Sequence, residues 1–291
     1  MQYRFLAYGL ISLCVSFSSL ANPIWKATKG DEHVYFGGTV HVLSEADFPL
    51  PDTFHAVYKE VDELVFETDM AAIQSPEFQQ AAMQAFQYPN GKTLDQVLSK
   101  DTLNALRTYL SSRGMRVEPL LPFKPSYAFT TIMLLELHRM GFTAQGVDGY
   151  FFELGAKDNK RLSWLESPQE QLNFISSLGE DNPNQMVRYS LEEVDTLPTM
   201  VTNLVRHWRS GDEHALDKLT VEPVKTAFPE IHESLLVARN NRWIKHIEAM
   251  FNDDDVEFIL VGVAHLVGED SVLTLLKQRG YHIEKVSHNH K

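Results

Sequence analysis

Short apolar runs alternate with longer stretches of helical period along most of the chain, the pattern of an α/β fold. Residues 33–36 read as a strand ending in Gly37-Gly38, and residues 64–67 as a second. Residues 115–120 read as a third, closed by Pro119, Pro122 and Pro125, with further strands expected at 143–147 and 161–166. Residues 256–262 are the clearest strand: apart from Glu257 they form one apolar run, suited to the middle of a sheet. A last strand is expected at 281–286. Helical patterns cover 53–62, 75–87, 93–114 (as two short helices), 126–140, 150–157, 168–178 and 266–279. Asp52 is placed to cap the first of them. Residues 185–251 are helical almost throughout, broken at Pro198, Gly211 and Pro223, and form an insertion between strands in the position of a lid or cap.

One segment echoes another. Residues 36–45, Phe-Gly-Gly-Thr-Val-His-Val-Leu-Ser-Glu, resemble residues 260–269, Leu-Val-Gly-Val-Ala-His-Leu-Val-Gly-Glu. Both read as a strand, a Gly-x-x-His turn, two apolar residues, a small residue and a glutamate. A weaker echo links Met140-Gly141-Phe142 with Arg279-Gly280-Tyr281. The expected fold is therefore α/β (α+β): two related βα halves around a central sheet, with a helical insertion between strands.

The N-terminus changes where this fold is expected to work. Arg4 precedes an apolar stretch over residues 5–17, and Ser19 and Ala21 offer a small-x-small cleavage site before Asn22. This is the layout of a cleaved secretory signal peptide over residues 1–21, and it implies a periplasmic or secreted protein. The apolar run is shorter than the roughly 18–20 residues a membrane span needs, and no later stretch suggests a membrane span. Cys14, the only cysteine, lies in the leader, so disulfides, thiolate metal sites and a cysteine nucleophile are excluded from the rest. Losing Arg4 with the leader moves the net charge from -13 to -14. With no basic stretch interleaved with aromatics, nucleic-acid binding is excluded as well. His288 and His290 fall in a tail expected to be frayed.

Chemistry is expected at strand ends, where a parallel sheet presents its ligands. His41, Glu67, Asp148, Glu166 and His265 all fall there. Two imidazoles with carboxylates make a common first shell for a divalent ion such as manganese, cobalt or zinc. Glu67 suits either a ligand or a general base. Glu67, Asp148 and Glu166 also stand where helix caps would be. Arg239 falls in the middle of an apolar helix face, with Asn240 at its edge, and a buried guanidinium needs an anionic partner. Neither H-E-x-x-H, G-x-S-x-G nor a Walker loop is present.

Taken in order, Gly38-Thr39-Val40-His41, Phe66-Glu67-Thr68-Asp69, Gly146-Val147-Asp148, Leu165-Glu166 with Gln169 and Gln171, Arg239-Asn240, and Gly262-Val263-Ala264-His265-Leu266 with Gly268 resemble the TraB/GumN family. That family includes the animal Tiki proteins, metal-dependent proteases acting on Wnt. The resemblance covers residues 22–291 and implies two related α/β halves with one site between them. It implies metal binding at His41, His265 and Glu67 and proteolysis with Glu67, Arg239 and Asn240, leaving Asp148 and Glu166 to contact substrate or support the ligands. Arg239 would stabilise the oxyanion. The expected activity is that of an exported metal-dependent hydrolase on a peptide or protein substrate. The alternative is a periplasmic protein that captures a peptide, haem or metal without turnover.

Overall fold

The computed structural model describes residues 22–143, 145–252 and 254–287. The expected signal peptide and the tail histidines His288 and His290 lie outside the described residues. Six strands form one sheet: β1 (Ile24–Lys29), β2 (Glu32–Thr39), β4 (Glu63–Phe66), β6 (Arg161–Trp164), β7 (Glu257–Gly262) and β8 (His282–Lys285). Their order is β6-β4-β7-β2-β1-β8. β1 runs antiparallel to β2 and β8, while β2, β7, β4 and β6 are mutually parallel. Two short strands, β3 (Leu43–Ser44) and β5 (Phe142–Thr143), pair separately.

The apolar run of β7 explains its central place, because both of its faces are covered. Phe258 and Leu260 join Leu64, Phe66 and the helix Asp52–Glu60, through Phe54, Val57 and Tyr58, in one core layer. Ile259 and Val261 join Val34, Phe36 and Val65 in the other. That second layer is closed by Trp243, Ile244 and Ile247 of the helix Ala238–Met250 and by Val272, Leu273 and Leu276 of the helix Val272–Gln278. Each buried side chain of this size stabilises by about 1.5–3 kcal/mol. A third apolar cluster, from Leu94 to Val194, joins helices away from the sheet.

The internal echo has a structural counterpart. β2 leads through a His turn and the helix Asp52–Glu60 to β4, and β7 leads through a His turn and the helix Val272–Gln278 to β8. The two helices cross on opposite faces. β2 and β7 are parallel neighbours, with Thr39 opposite Gly262, so their His turns emerge side by side.

Several local expectations are corrected. Residues 115–120 are no strand but irregular chain with a tight turn at Glu118–Leu120, since Pro119 and Pro122 lack the N–H a ladder needs. Residues 143–147 shrink to the β5 pair, and a helix begins at Val147. The helix expected over 266–279 starts only at Val272, capped by Ser271 and preceded by Gly268 at φ 84°. Pro51 takes the cap position next to Asp52, which lies in the first turn. β1 escaped the sequence reading because it directly follows the expected leader. Among the described residues, no helix is long and apolar enough to cross a membrane.

Candidate metal and peptide site

β2 leaves the sheet at Thr39 and His41 follows on the turn. A Cβ at Gly146 would lie 2.3 Å from the Val40 carbonyl oxygen, so only glycine lets this segment press against the turn. That approach allows the Val147 N–H to donate to the Val40 carbonyl at 3.0 Å. Asp148, one residue further, reaches His41 Nδ1 at 2.8 Å. Asp148 pushes the His41 pKa up to about 9, against the pull of desolvation.

Past the ends of β4 and β6 their pairing continues: Leu165 N–H donates to Phe66 O and Glu166 N–H to Glu67 O, both at 3.0 Å. The carboxylates of Glu67 and Glu166 are thereby set close together and both buried, an arrangement that requires a cation. Arg239 supplies it from the first turn of the helix Ala238–Met250, directly after a π-helical turn at Glu233–Val237. Its Nη2 donates to Glu67 Oε2 and to Glu166 Oε1, each at 2.6 Å. Nε lies 3.1 Å from both oxygens of Glu166. Nη1 donates to Leu235 O and to His265 Nε2, each at 3.1 Å. Every N–H of the guanidinium is thus engaged.

Burial would raise the Glu67 carboxyl, but Arg239 and the Gly262 N–H, which donates to Oε1 at 2.8 Å, hold it far below the usual carboxylate range. Gln171 donates to Oε2 at 3.2 Å. His265 is buried, which lowers its pKa to about 3 and keeps the imidazole neutral. Its Nδ1 lies 2.6 Å from Asn240 Oδ1, and Asn240 in turn donates to Asp270 O at 2.9 Å. Because the arginine can only donate, His265 Nε2 must accept, so Nδ1 carries the hydrogen and donates to Asn240.

All seven residues singled out from sequence come together. None of the three carboxylates suspected as helix caps serves as one: Asp69 and Ser167 cap the adjacent helices, and Asp148 turns to His41. Trp243 was not singled out. Its indole N–H donates to Glu166 at 3.2 Å and its ring lies 4.4 Å from that of His265. The signal was its place one helical turn after Arg239.

The donors are of the kind a divalent ion takes. The Nε2 atoms of His41 and His265 stand 4.0 and 3.8 Å from Glu67 Oε1. A Cβ at Gly262 would meet Glu67 Oε1 and His41 Nε2, each at 3.2 Å, so glycine keeps a small space open between them. Among the described residues, however, no three His, Cys, Asp or Glu side chains are arranged as a finished metal cage. The Nη1 hydrogen of Arg239 occupies the lone pair of His265 Nε2, and ligation there requires it to withdraw. The neighbouring hydroxyls of Thr39 and Thr68 are buried without a hydrogen-bond partner among the described residues.

The sequence profile of the TraB/PrgY/gumN family matches residues 23–285. Metalloprotease TIKI1 of Homo sapiens is 22% identical over 322 residues, covering 92% of this chain and 62% of that protein. Metalloprotease TIKI1 of Xenopus tropicalis is 20% identical, with 91% and 62% covered. The chain thus spans less than two thirds of the length of these relatives. A protein of Escherichia coli K12 described as uncharacterized protein YbaP is 22% identical over 251 residues, covering 85% of this chain and 89% of its own. No solved structure matches.

Proposed function

Because this chain belongs to the TraB/PrgY/gumN family, we propose that it is an exported, metal-dependent hydrolase acting on peptide bonds. One observation carries the reading. Each imidazole has its Nδ1 held by an oxygen acceptor, Asp148 or Asn240, and turns its Nε2 toward Glu67 Oε1. Metal-binding histidines are held in this way, the second nitrogen fixing the tautomer and the ring. The naming of the TIKI relatives as metalloproteases supports it. The layout of residues 1–21 supports export.

His41, His265 and Glu67 would hold the ion, with manganese, cobalt or zinc suited to nitrogen and oxygen donors. Bound there, it would polarise a carbonyl and lower the pKa of water toward about 7. Glu67 is better suited to ligation than to proton transfer, since its carboxyl is held so strongly in the charged form. Arg239 positions Glu67 and Glu166. It has no spare N–H for an oxyanion unless one present bond opens. That full engagement favours a second reading, capture of a peptide without turnover.

One assay separates the two. A peptide library is incubated with the protein as purified, after chelation, and after return of each metal. Metal-restored cleavage that His265→Ala abolishes is expected. Cleavage by a metal-free His265→Ala variant would refute the metal mechanism, and binding without product would select peptide capture.

A further inference from the structure

Beside the site lies a second cleft, with a volume of about 610 Å³. Its walls are Trp164 to Ser167, at the end of the edge strand β6, together with Glu170 and the outer face of the helix Ala238–Met250. Glu166, which grips Arg239, belongs to both, so cleft and site share a wall.

Two cations and two carboxylates line this cleft without forming ion pairs with one another. Arg242 and Lys245 line it, and among the described residues neither forms an ion pair. Arg242 instead lies 4.9 Å from the ring of Phe174. Of the two carboxylates in the wall, Glu166 shares Arg239 with Glu67, and Glu170, within the electrostatic reach of Arg242, accepts hydrogen bonds from the N–H and hydroxyl of Ser167 at 2.9 and 2.7 Å. Arg242 and Lys245 thus stand in the cleft without an ion-pair partner among the described residues, in a chain whose net charge is -13. His246 stiffens the wall, its Nδ1 lying 3.2 Å from Leu165 O. At the mouth, Trp164 is 47% exposed, whereas Trp25, Trp208 and Trp243 are buried. Cations beside an exposed indole suit a peptide that carries a carboxylate next to an apolar group.

We propose that this cleft is a specificity subsite that receives a carboxylate of the peptide substrate through Arg242 and Lys245, with Trp164 packing against the neighbouring residue. The assignment of the peptide as a substrate rests on the hydrolase reading; the binding itself does not. An acidic side chain and a free C-terminus present the same group, and the test separates them.

Three alanine pentapeptides serve as probes, followed by tryptophan emission, to which Trp164 contributes the one exposed indole of the four. The first is acetylated and amidated with a central glutamate, the second has glutamine instead, and the third is the glutamine peptide with a free C-terminus. The glutamate peptide, the free-acid peptide or both should bind at least ten-fold more tightly than the neutral one, and which of them does so identifies the source of the carboxylate. Arg242→Glu/Lys245→Glu should erase that preference with an unchanged circular dichroism spectrum. The milder Arg242→Gln/Lys245→Gln should weaken it, which guards against a misfolded reversal. Affinity is read without turnover, so absence of cleavage leaves this inference standing. Equal affinity for the charged and neutral peptides, no binding of any, or a preference that survives both double variants would overturn it.

Discussion

At the residue scale, the site is governed by one buried cation between two buried carboxylates. Placing Glu67 and Glu166 side by side would be prohibitive without Arg239, and removing one partner of such a group costs about 3–5 kcal/mol. Glu67, Asp148, Glu166, Arg239, Asn240 and His265 were legible in the sequence because buried polar residues at strand ends, or in the middle of an apolar helix face, need partners, and the exposed His41 because its Gly-x-x-His turn echoes that of His265. Their pairing was not legible. Which carboxylate takes Arg239 and which takes His41 depends on the parallel register of β4 with β6 and on the close approach at Gly146. Gly262 tests how little room the site has. Gly262→Ala places a methyl 3.2 Å from Glu67 Oε1 and His41 Nε2. Glu67 and His41 must give by a few tenths of an ångström, so peptide cleavage should fall, by less than the roughly 100-fold of a 1 Å misplacement, while thermal unfolding changes little. Full activity in this variant would mean that the space between Glu67 and His41 is not used.

At the element scale, long periodic segments were readable and proline-rich or glycine-rich joints were not. The strand expected at 115–120 failed because its apolar residues pack into a helical cluster while its prolines refuse a ladder. The helix Pro125–Arg139 shows how such a cluster is pinned. Its buried Glu136 accepts from the Tyr109 hydroxyl at 2.6 Å and from Arg113 Nε at 2.7 Å. Burial would raise its carboxyl, but these two donors and Arg139 hold it below its ordinary value of 4.5. A carboxylate with a depressed folded pKa stabilises above its unfolded pKa and loses that contribution as pH falls. Glu136→Ala should cost about 2 kcal/mol at neutral pH. The difference in melting temperature from the parent should shrink as pH drops below about 4.5. A gap that stays constant down to about pH 3 would deny Glu136 this role.

At the scale of the whole molecule, the short echo between residues 36–45 and 260–269 pointed to the central feature of the fold: two His turns leaving adjacent parallel strands. It could not reveal that the two crossover helices lie on opposite faces, because handedness and layer assignment depend on which strands become neighbours. Nor could it reveal β1, which separates β2 from β8. The sheet is covered on both faces, whereas the cluster from Leu94 to Val194 stands apart from it. Hydrogen exchange should therefore show the helices of that cluster opening at lower free energy than β2 and β7. Uniform protection would indicate one cooperative unit instead.

The proposed metal site lies where the two His turns meet at Glu67. Metal bound per chain, measured on the chelated protein after reloading with manganese, cobalt or zinc, tests it most directly. One ion per chain is expected in the parent and none in a His41→Ala/His265→Ala variant with the same circular dichroism spectrum. An ion retained by that folded variant, or no ion taken up by the parent with any of the three metals, would contradict it.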